Sequence, residues 1–511
     1  MIDKNIFKKT FLYLALLETI SIAVFYLPSI QDIVFFLLCL SFLFLSLKNF
    51  KIAALIIVLE LIIGSKSGDL FFLDLSGITL SVRIAFWLIF LSVFLSKNLI
   101  DLLKGNRQIL EIIKEPWFKY IMVLFIFILW GLLNAVYNHN QFFNLFFDIN
   151  AWFYFLLVLP FYSVYKELKS EGQWTLNSFF TVILSAIIWI STKTLIILFL
   201  FAHKLEFINT GLYTWIRKTG VGEITQMQGG FYRVFFQSHI FVLLALLAFF
   251  YIAIRVLSNK EKNWKNDKSE IIFMTCIFMI LVMTTIVSLS RSNWVGLIVA
   301  LGLVFVFAVW QYRLKGLVNF ILVTVISLLV SMALIVLLVK FPYPKPIGGF
   351  ATADLIGNRA TEVKTEAGVS SRWNLLPELW DEISDQPLLG KGYGTTVTYI
   401  SNDPRVREKS LDGEYTTYAF EWGWLDTWLK IGLFGVVSYI VFLIYLCLDS
   451  FFLFLKNKKN IAPIILLTSI VLVSAINFFS PYLNHPIGIG TILVLMFLLS
   501  FYKDKDFKNT T

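Results

Sequence analysis

The sequence predicts an all-α polytopic membrane protein of about 12–14 transmembrane helices, with one long extracytoplasmic loop containing short helices. Three observations predict it. Hydrophobic residues make up 58% of the 511 and charged residues only 15%, well below the charged fraction of soluble domains, about 25%. The apolar excess is bulky, with 52 Phe, and it is gathered into runs long enough to cross a bilayer rather than spread as amphipathic stripes. The basic residues, which outnumber the acidic ones to give a net charge of +10, sit in the gaps between those runs. This composition excludes a soluble enzyme, a disordered chain and a secreted disulfide scaffold. Cys39, Cys276 and Cys447 all lie inside apolar runs and make no disulfide framework. Basic residues scattered between spans form no nucleic-acid-binding face.

In chain order the candidate spans are 11–28, 30–47, 51–65, 80–97, 118–137, 151–166, 178–202, 233–257, 271–290, 293–311, 316–339, 436–454, 461–478 and 487–502. The third and sixth are short against the roughly 20 residues that a crossing requires, so the count falls to twelve if both fail. The first is no cleavable signal, because further spans follow at once and no small-residue cleavage site closes it. Orientation follows from the short loops. With a cytoplasmic N-terminus, alternate segments hold Lys4, Lys8 and Lys9; Lys48 and Lys51; Lys97, Lys104, Arg107, Lys114 and Lys119; Lys166 and Lys169; Arg255, Lys260, Lys262, Lys265 and Lys268; Arg313 and Lys315; Lys456, Lys458 and Lys459; and Lys503, Lys505 and Lys508. These are most of the 43 basic residues, as the positive-inside rule requires. The expected organisation is a bundle over 1–339, an extracytoplasmic loop over 340–435, and C-terminal spans with a tail over 436–511, both termini being cytoplasmic.

Ionisable side chains inside spans cost about 2.5–3.5 kcal/mol each on insertion scales and mark candidate sites. Arg83, Lys193, Arg233 and Arg291 recur in outer halves or at outer ends of spans; Glu18 and Glu60 are the acidic counterparts and are expected as counter-ions. Arg83 and Arg233 read equally well as snorkelling residues; Lys193, deeper in its span, snorkels less easily. Together the cations suggest an outward-opening positive cavity, which suits an anionic lipid headgroup because guanidinium matches phosphate oxygens in pairs.

Within the long loop, Trp373, Leu376, Trp380 and Ile383 fall at helical spacing, with Glu378, Asp381, Glu382 and Asp385 on the opposite face. Pro377 suits a first turn, or kinks the helix. Gly390-Lys391-Gly392-Tyr393-Gly394 lacks the βαβ setting of a phosphate loop and reads as the stop and turn after that helix. Trp422, Trp424 and Trp428 suit an interface, and a helix from 421 to 454 is too long for one perpendicular crossing. A break near Gly432 or Gly435 is therefore expected, leaving Glu421 and Asp426 on a short outer helix.

Ser290-Arg291-Ser292 closing a span, a polar loop, the helix from Arg372 to Trp380, then Pro387-Leu388-Leu389-Gly390-Lys391-Gly392 and Gly432-Leu433-Phe434-Gly435 form an ordered set. This set resembles the O-antigen ligase and O-antigen polymerase superfamily of bacterial envelope glycosyltransferases. The resemblance is close over about 285–440, with Arg233 the one further match upstream. It implies transfer of a glycan from a polyprenyl-diphosphate donor to a glycan or lipid-glycan acceptor outside the bacterial cytoplasmic membrane, without metal or other cofactor. Arg291 is the best carry-over for holding the diphosphate, Arg233 the second, and Arg372 matches the arginine that opens the loop helix, with an ion pair to Asp381 or Glu382 as the alternative. Where the family's ligases carry a His-Asn pair, counting back from Gly435 reaches Glu421-Trp422. Glu421 then stands as the base for the acceptor hydroxyl if burial lifts its acidity towards neutrality, or as a residue that positions the acceptor. A flippase of lipid-linked glycan is the rival reading, weakened by the lack of repeated halves. A metal-dependent transferase expects closely spaced carboxylates in the first outer loop, whereas Asp69 and Asp74 are poorly spaced for it.

Overall fold

A computed structural model describes residues 2–64, 69–75, 78–105, 108–171, 173–203, 205–258, 268–347, 349, 367–408, 410 and 412–508. Arg107, Lys260, Lys262 and Lys265 of the basic loops, and residues 350–366 of the long polar segment, lie outside these. Twelve described helices are long and apolar enough to cross a membrane. The chain is an all-α polytopic membrane protein, with three two-stranded antiparallel hairpins among the described residues. Its compact units are discontinuous in sequence: one comprises Met1–Asn106 and Leu159–Leu355, the other Arg107–Val158 and Ile356–Thr511.

The first unit begins with α1 (Lys4–Tyr26), started by the Asp3 carboxylate accepting from the N–H groups of Asn5 and Ile6 at 2.9 and 3.0 Å. Next come α2 (Pro28–Lys48), with proline in its first turn, and α3 (Phe50–Ile63). At 14 residues, α3 reaches about 21 Å, short of the roughly 30 Å hydrocarbon core. The third expected span is thus a buried core helix, with Ala53, Ile57 and Leu61 at most 1% exposed. A hairpin of β1 (Phe72–Leu75) and β2 (Ile78–Ser81) leads to α4 (Val82–Leu103), capped by Ser81.

The sixth expected span, short in sequence, continues without interruption in hydropathy over Phe142–Ser170 and is built from α6 (Phe142–Trp152), a 3₁₀ turn and α7 (Val158–Glu171), after α5 (Phe118–Tyr137). The first unit, resumed at Leu159 within α7, continues with α8 (Gln173–Ala202) and α9 (Glu206–Lys218), then the hairpin β3 (Gly222–Gln226) and β4 (Tyr232–Phe236). Residues 233–238, expected at the start of a span, are therefore strand and turn. Arg233 lies on β4 and the helix α10 (His239–Ser258) begins after it. Two residues join α11 (Lys268–Ser288) to α12 (Arg291–Tyr312), and α13 (Leu314–Val339) closes the bundle.

The second unit contains α5, α6, α14 (Ala367–Asp385), α15 (Pro404–Arg407), the hairpin β5 (Val397–Ile400) and β6 (Glu414–Thr417), α16 (Gly423–Lys456), α17 (Ala462–Ile476) and α18 (Pro486–Lys508). At 15 residues, α17 is a second short, buried helix. The buried face of α14 is Ser371, Leu375, Leu379 and Ile383. This differs from the expected stripe: Trp373 and Trp380 remain half-exposed at 50% and 49%. Indole rings are amphipathic, and here they lie edge-on to Trp422 and Trp428, with centroids 5.5 and 5.7 Å away. Pro377 sits in the helix interior rather than in a first turn. The expected break in the long helix falls at Gly432, whose φ of 72° and ψ of 174° are non-helical. A Cβ there would meet the Leu388 carbonyl oxygen at 2.3 Å, while the Leu433 N–H donates to the Pro387 carbonyl at 3.0 Å.

Candidate active site

In the first unit the candidate site forms at the α11–α12 turn. Leu289, buried there, has φ of 43°; a non-glycine residue in that region costs about 1–3 kcal/mol, a strain that clusters at functional turns. Ser290 occupies the N-cap of α12 without a side-chain capping bond, and its hydroxyl lies instead 3.2 Å from that of Ser292. Helix N–H groups left uncapped carry partial positive charge and favour anions. Arg291 is the first residue of that helix. Arg233 reaches the same turn from β4, its Nε donating to the Ser288 carbonyl at 2.9 Å, three residues ahead of Arg291. Its guanidinium lies over the Phe235 ring at 4.9 Å and 3.6 Å from the Glu223 carboxylate. Two positions along the helix from Arg291, Asn293 is 1% exposed, and both polar atoms of its amide lack a hydrogen bond among the described residues. Buried amides ordinarily find partners, so this one marks a polar site beside the two arginines.

Arg83 and Lys193 are placed differently. Arg83 is 3% exposed, its Nε donating to both oxygens of Glu60 at 2.8 and 3.1 Å. Lys193 donates to Glu18 at 2.8 Å and covers the Phe236 ring at 4.5 Å. Both expected counter-ions are thus in place, and these cations are compensated internal charges joining α3 to α4 and α1 to α8. Beside Lys193, the Thr194 hydroxyl donates to the Ile190 carbonyl at 2.9 Å, so His239 Nε2 must donate to Thr194 Oγ1 at 2.9 Å. His239 Nδ1 accepts from the Phe236 N–H at 3.4 Å. Both ring nitrogens are thus engaged.

In the second unit Arg372 is ion-paired with Glu421, not with Asp381 or Glu382. Glu382 and Asp385 instead hold Lys391. The Glu421 side chain is 52% exposed, so the burial attached to a base role is not met here. Trp422 Nε1 donates to the Arg372 carbonyl at 3.0 Å and Trp428 Nε1 to the Pro387 carbonyl at 2.7 Å. These indoles secure the loop helix to the start of α16. Below them lies a network that sequence reasoning missed. Lys430 Nζ contacts Asp148 and Asp426, each at 2.6 Å; Asn484 Nδ2 donates to Asp426 at 2.5 Å, and the Gly394 N–H to Asp148 at 2.8 Å. Only the Asp426–Lys430 spacing was visible in sequence, since Asp148 and Asn484 arrive from other helices. The glycine turn packs rather than cradles a ligand. Asn134, Asn138 and Asn140 donate to carbonyls of Gly390, Lys391 and Tyr393, and a Cβ at Gly392 would lie 2.2 Å from the Ala135 nitrogen. Among the described residues no three His, Cys, Asp or Glu side chains gather as a metal-binding group.

The family model described as O-antigen ligase matches residues 276–440. Over that segment, about a third of the chain, it is similar to the O-antigen ligases. No curated protein matches it. The segment it shares with the O-antigen ligases runs from α11 into α16 and contains Arg291, Asn293, Arg372 and Glu421; Arg83, Lys193 and Arg233 precede it. Within the segment similar to the O-antigen ligases, Arg291 stands at the α11–α12 turn, where Arg233 arrives from outside that segment.

Proposed function

We propose that this protein transfers a glycan from a polyprenyl-diphosphate donor to the hydroxyl of a glycan or lipid-glycan acceptor, on the outer side of the bacterial cytoplasmic membrane, with both termini inside. The observation that carries this reading is the bond from Arg233 to the Ser288 carbonyl, at the turn after which Arg291 opens α12 with no side-chain cap on its N-terminus. Such an arrangement suits a phosphate leaving group, and charge stabilisation of that type is typically worth about 3–4 kcal/mol per donor.

In the proposed reaction the acceptor oxygen attacks the anomeric carbon opposite the diphosphate, inverting its configuration. The carbon–oxygen bond to phosphate breaks, and its electron pair passes to the diphosphate, whose charge Arg291 and Arg233 stabilise without a metal ion. The acceptor proton passes to water, and Glu421, half-exposed beside Arg372, is assigned the positioning of the acceptor by hydrogen bonds. Arg83 and Lys193 serve the donor site by fixing the surrounding helices through Glu60 and Glu18.

Purified protein supplied with lipid-linked oligosaccharide and candidate acceptors should release polyprenyl diphosphate. Arg291→Ala, inserted and folded normally, should lose about 100-fold or more in turnover. Full activity in that variant would remove the assignment. Movement of intact lipid-linked glycan across the bilayer, with no linkage broken, would establish the flippase instead.

A further inference from the structure

A cleft of ≈ 540 Å³ opens in the first unit between α9 and the β3–β4 hairpin, within the roughly 300–1,000 Å³ range of small-ligand sites. Its walls are unlike those of the arginine cluster. Phe201, Tyr213 and Tyr232 supply aromatic surface; Asn209, Thr225 and Gln226 supply uncharged hydrogen-bonding groups. The side chains of Thr225 and Gln226 and the Tyr232 hydroxyl make no hydrogen bond among the described residues. Asn209 is fixed by donating to the Leu200 carbonyl at 3.1 Å. The single charged lining residue, Arg217, is shared with Glu223 at 3.9 Å and leans over the Tyr213 ring at 5.8 Å. A diphosphate entering here would meet a single guanidinium. A pyranose would meet aromatic faces for its C–H surface, and amides and hydroxyls for its rim.

The hairpin register ties this cleft to the arginine cluster. Gln226 pairs with Tyr232, and Thr225 with Arg233, so Thr225 and Arg233 have Cβ atoms about 5 Å apart on one face. Glu223 joins the two sites directly, because the carboxylate that touches Arg217 also lies 3.6 Å from Arg233.

We propose that this cleft is the subsite for the uncharged sugar residues of the donor next to its diphosphate, an inference that rests on the diphosphate reading of Arg233. The probes are the glycan-bearing polyprenyl diphosphate pool extracted from the producing organism and glycan-free polyprenyl diphosphate. Each is titrated against the full chain in nanodiscs. The wild type should bind the glycan-bearing lipid at least tenfold tighter. Tyr213→Ala combined with Gln226→Ala, both exposed positions, should abolish that preference while keeping affinity for the glycan-free lipid within twofold and leaving thermal unfolding unchanged. Arg233→Ala should weaken both lipids alike. Equal wild-type affinity for the two lipids, or equal loss of both in the cleft variant, overturns the subsite. Loss of the preference in the cleft variant with no effect of Arg233→Ala would retain the sugar site and refute the diphosphate reading.

Discussion

Lys430 shows how much depends on single side chains in the apolar interior. Its ammonium lies between the carboxylates of Asp148 and Asp426, and the Lys430 side chain is 2% exposed. Removing one member of a buried charge group leaves the others uncompensated, at about 3–5 kcal/mol. Lys430→Met should therefore unfold well below the wild type in detergent thermal scans, and Asp148→Asn introduced into it should recover part of the loss. The half-exposed Arg372–Glu421 pair behaves differently. Glu421→Gln should change stability by no more than about 1 kcal/mol, yet reduce turnover sharply with little change in donor affinity. Unchanged turnover would leave this carboxylate outside the chemistry.

Lys391 supplies a pH test outside the membrane-spanning helices. Its partial burial works against the charge, but hydrogen bonds and attraction from Asp385 and Glu382 outweigh this and hold the ammonium above the ordinary lysine range. A raised folded value means that the contribution is complete below the unfolded pKa of about 10.4 and disappears as pH climbs through the folded value. Lys391→Met should thus unfold more easily at pH 7 by at most about 1 kcal/mol. It should also lack the wild-type decline attributable to this site above pH about 10, as read from unfolding midpoints across alkaline buffers.

At the scale of elements, the break in α16 is the most exposed to test. Gly432→Ala meets both a left-handed φ and the Leu388 carbonyl oxygen, so relaxation requires backbone movement. A shifted unfolding midpoint and a changed protease pattern over 387–394 are expected. An unchanged pattern would show that the glycine turn does not depend on this break. The position was legible because glycine stood where an overlong helix needed one. The buried face of α14 was legible only in part, since half-buried tryptophans satisfy helical spacing on either side of the true face. The two short helices were legible as apolar runs, but their burial against neighbours was not.

For the molecule as a whole, the orientation inferred from basic loops predicts labelling. In whole cells, a membrane-impermeant maleimide should react with Asp412→Cys and spare Lys458→Cys until the membrane is opened. The reverse pattern would invert the topology and place the candidate chemistry in the cytoplasm.

Composition and run length by themselves determined that this chain lives in a bilayer as a helical bundle, because burying bare backbone in lipid leaves helices as the available solution for such runs. Motif order carried the resemblance to the O-antigen ligases, and charge inside apolar runs identified which cations needed explanation. Only the tertiary structure decided their fates. Arg83 and Lys193 are neutralised by Glu60 and Glu18, whereas Arg233 leaves its expected span for a strand beside the turn that Arg291 opens. Asp148 and Asn484 come from helices distant in sequence to meet Lys430 and Asp426. The physical reason is that an ion pair depends on ångström-scale approach between side chains, while hydropathy records only how each segment partitions alone.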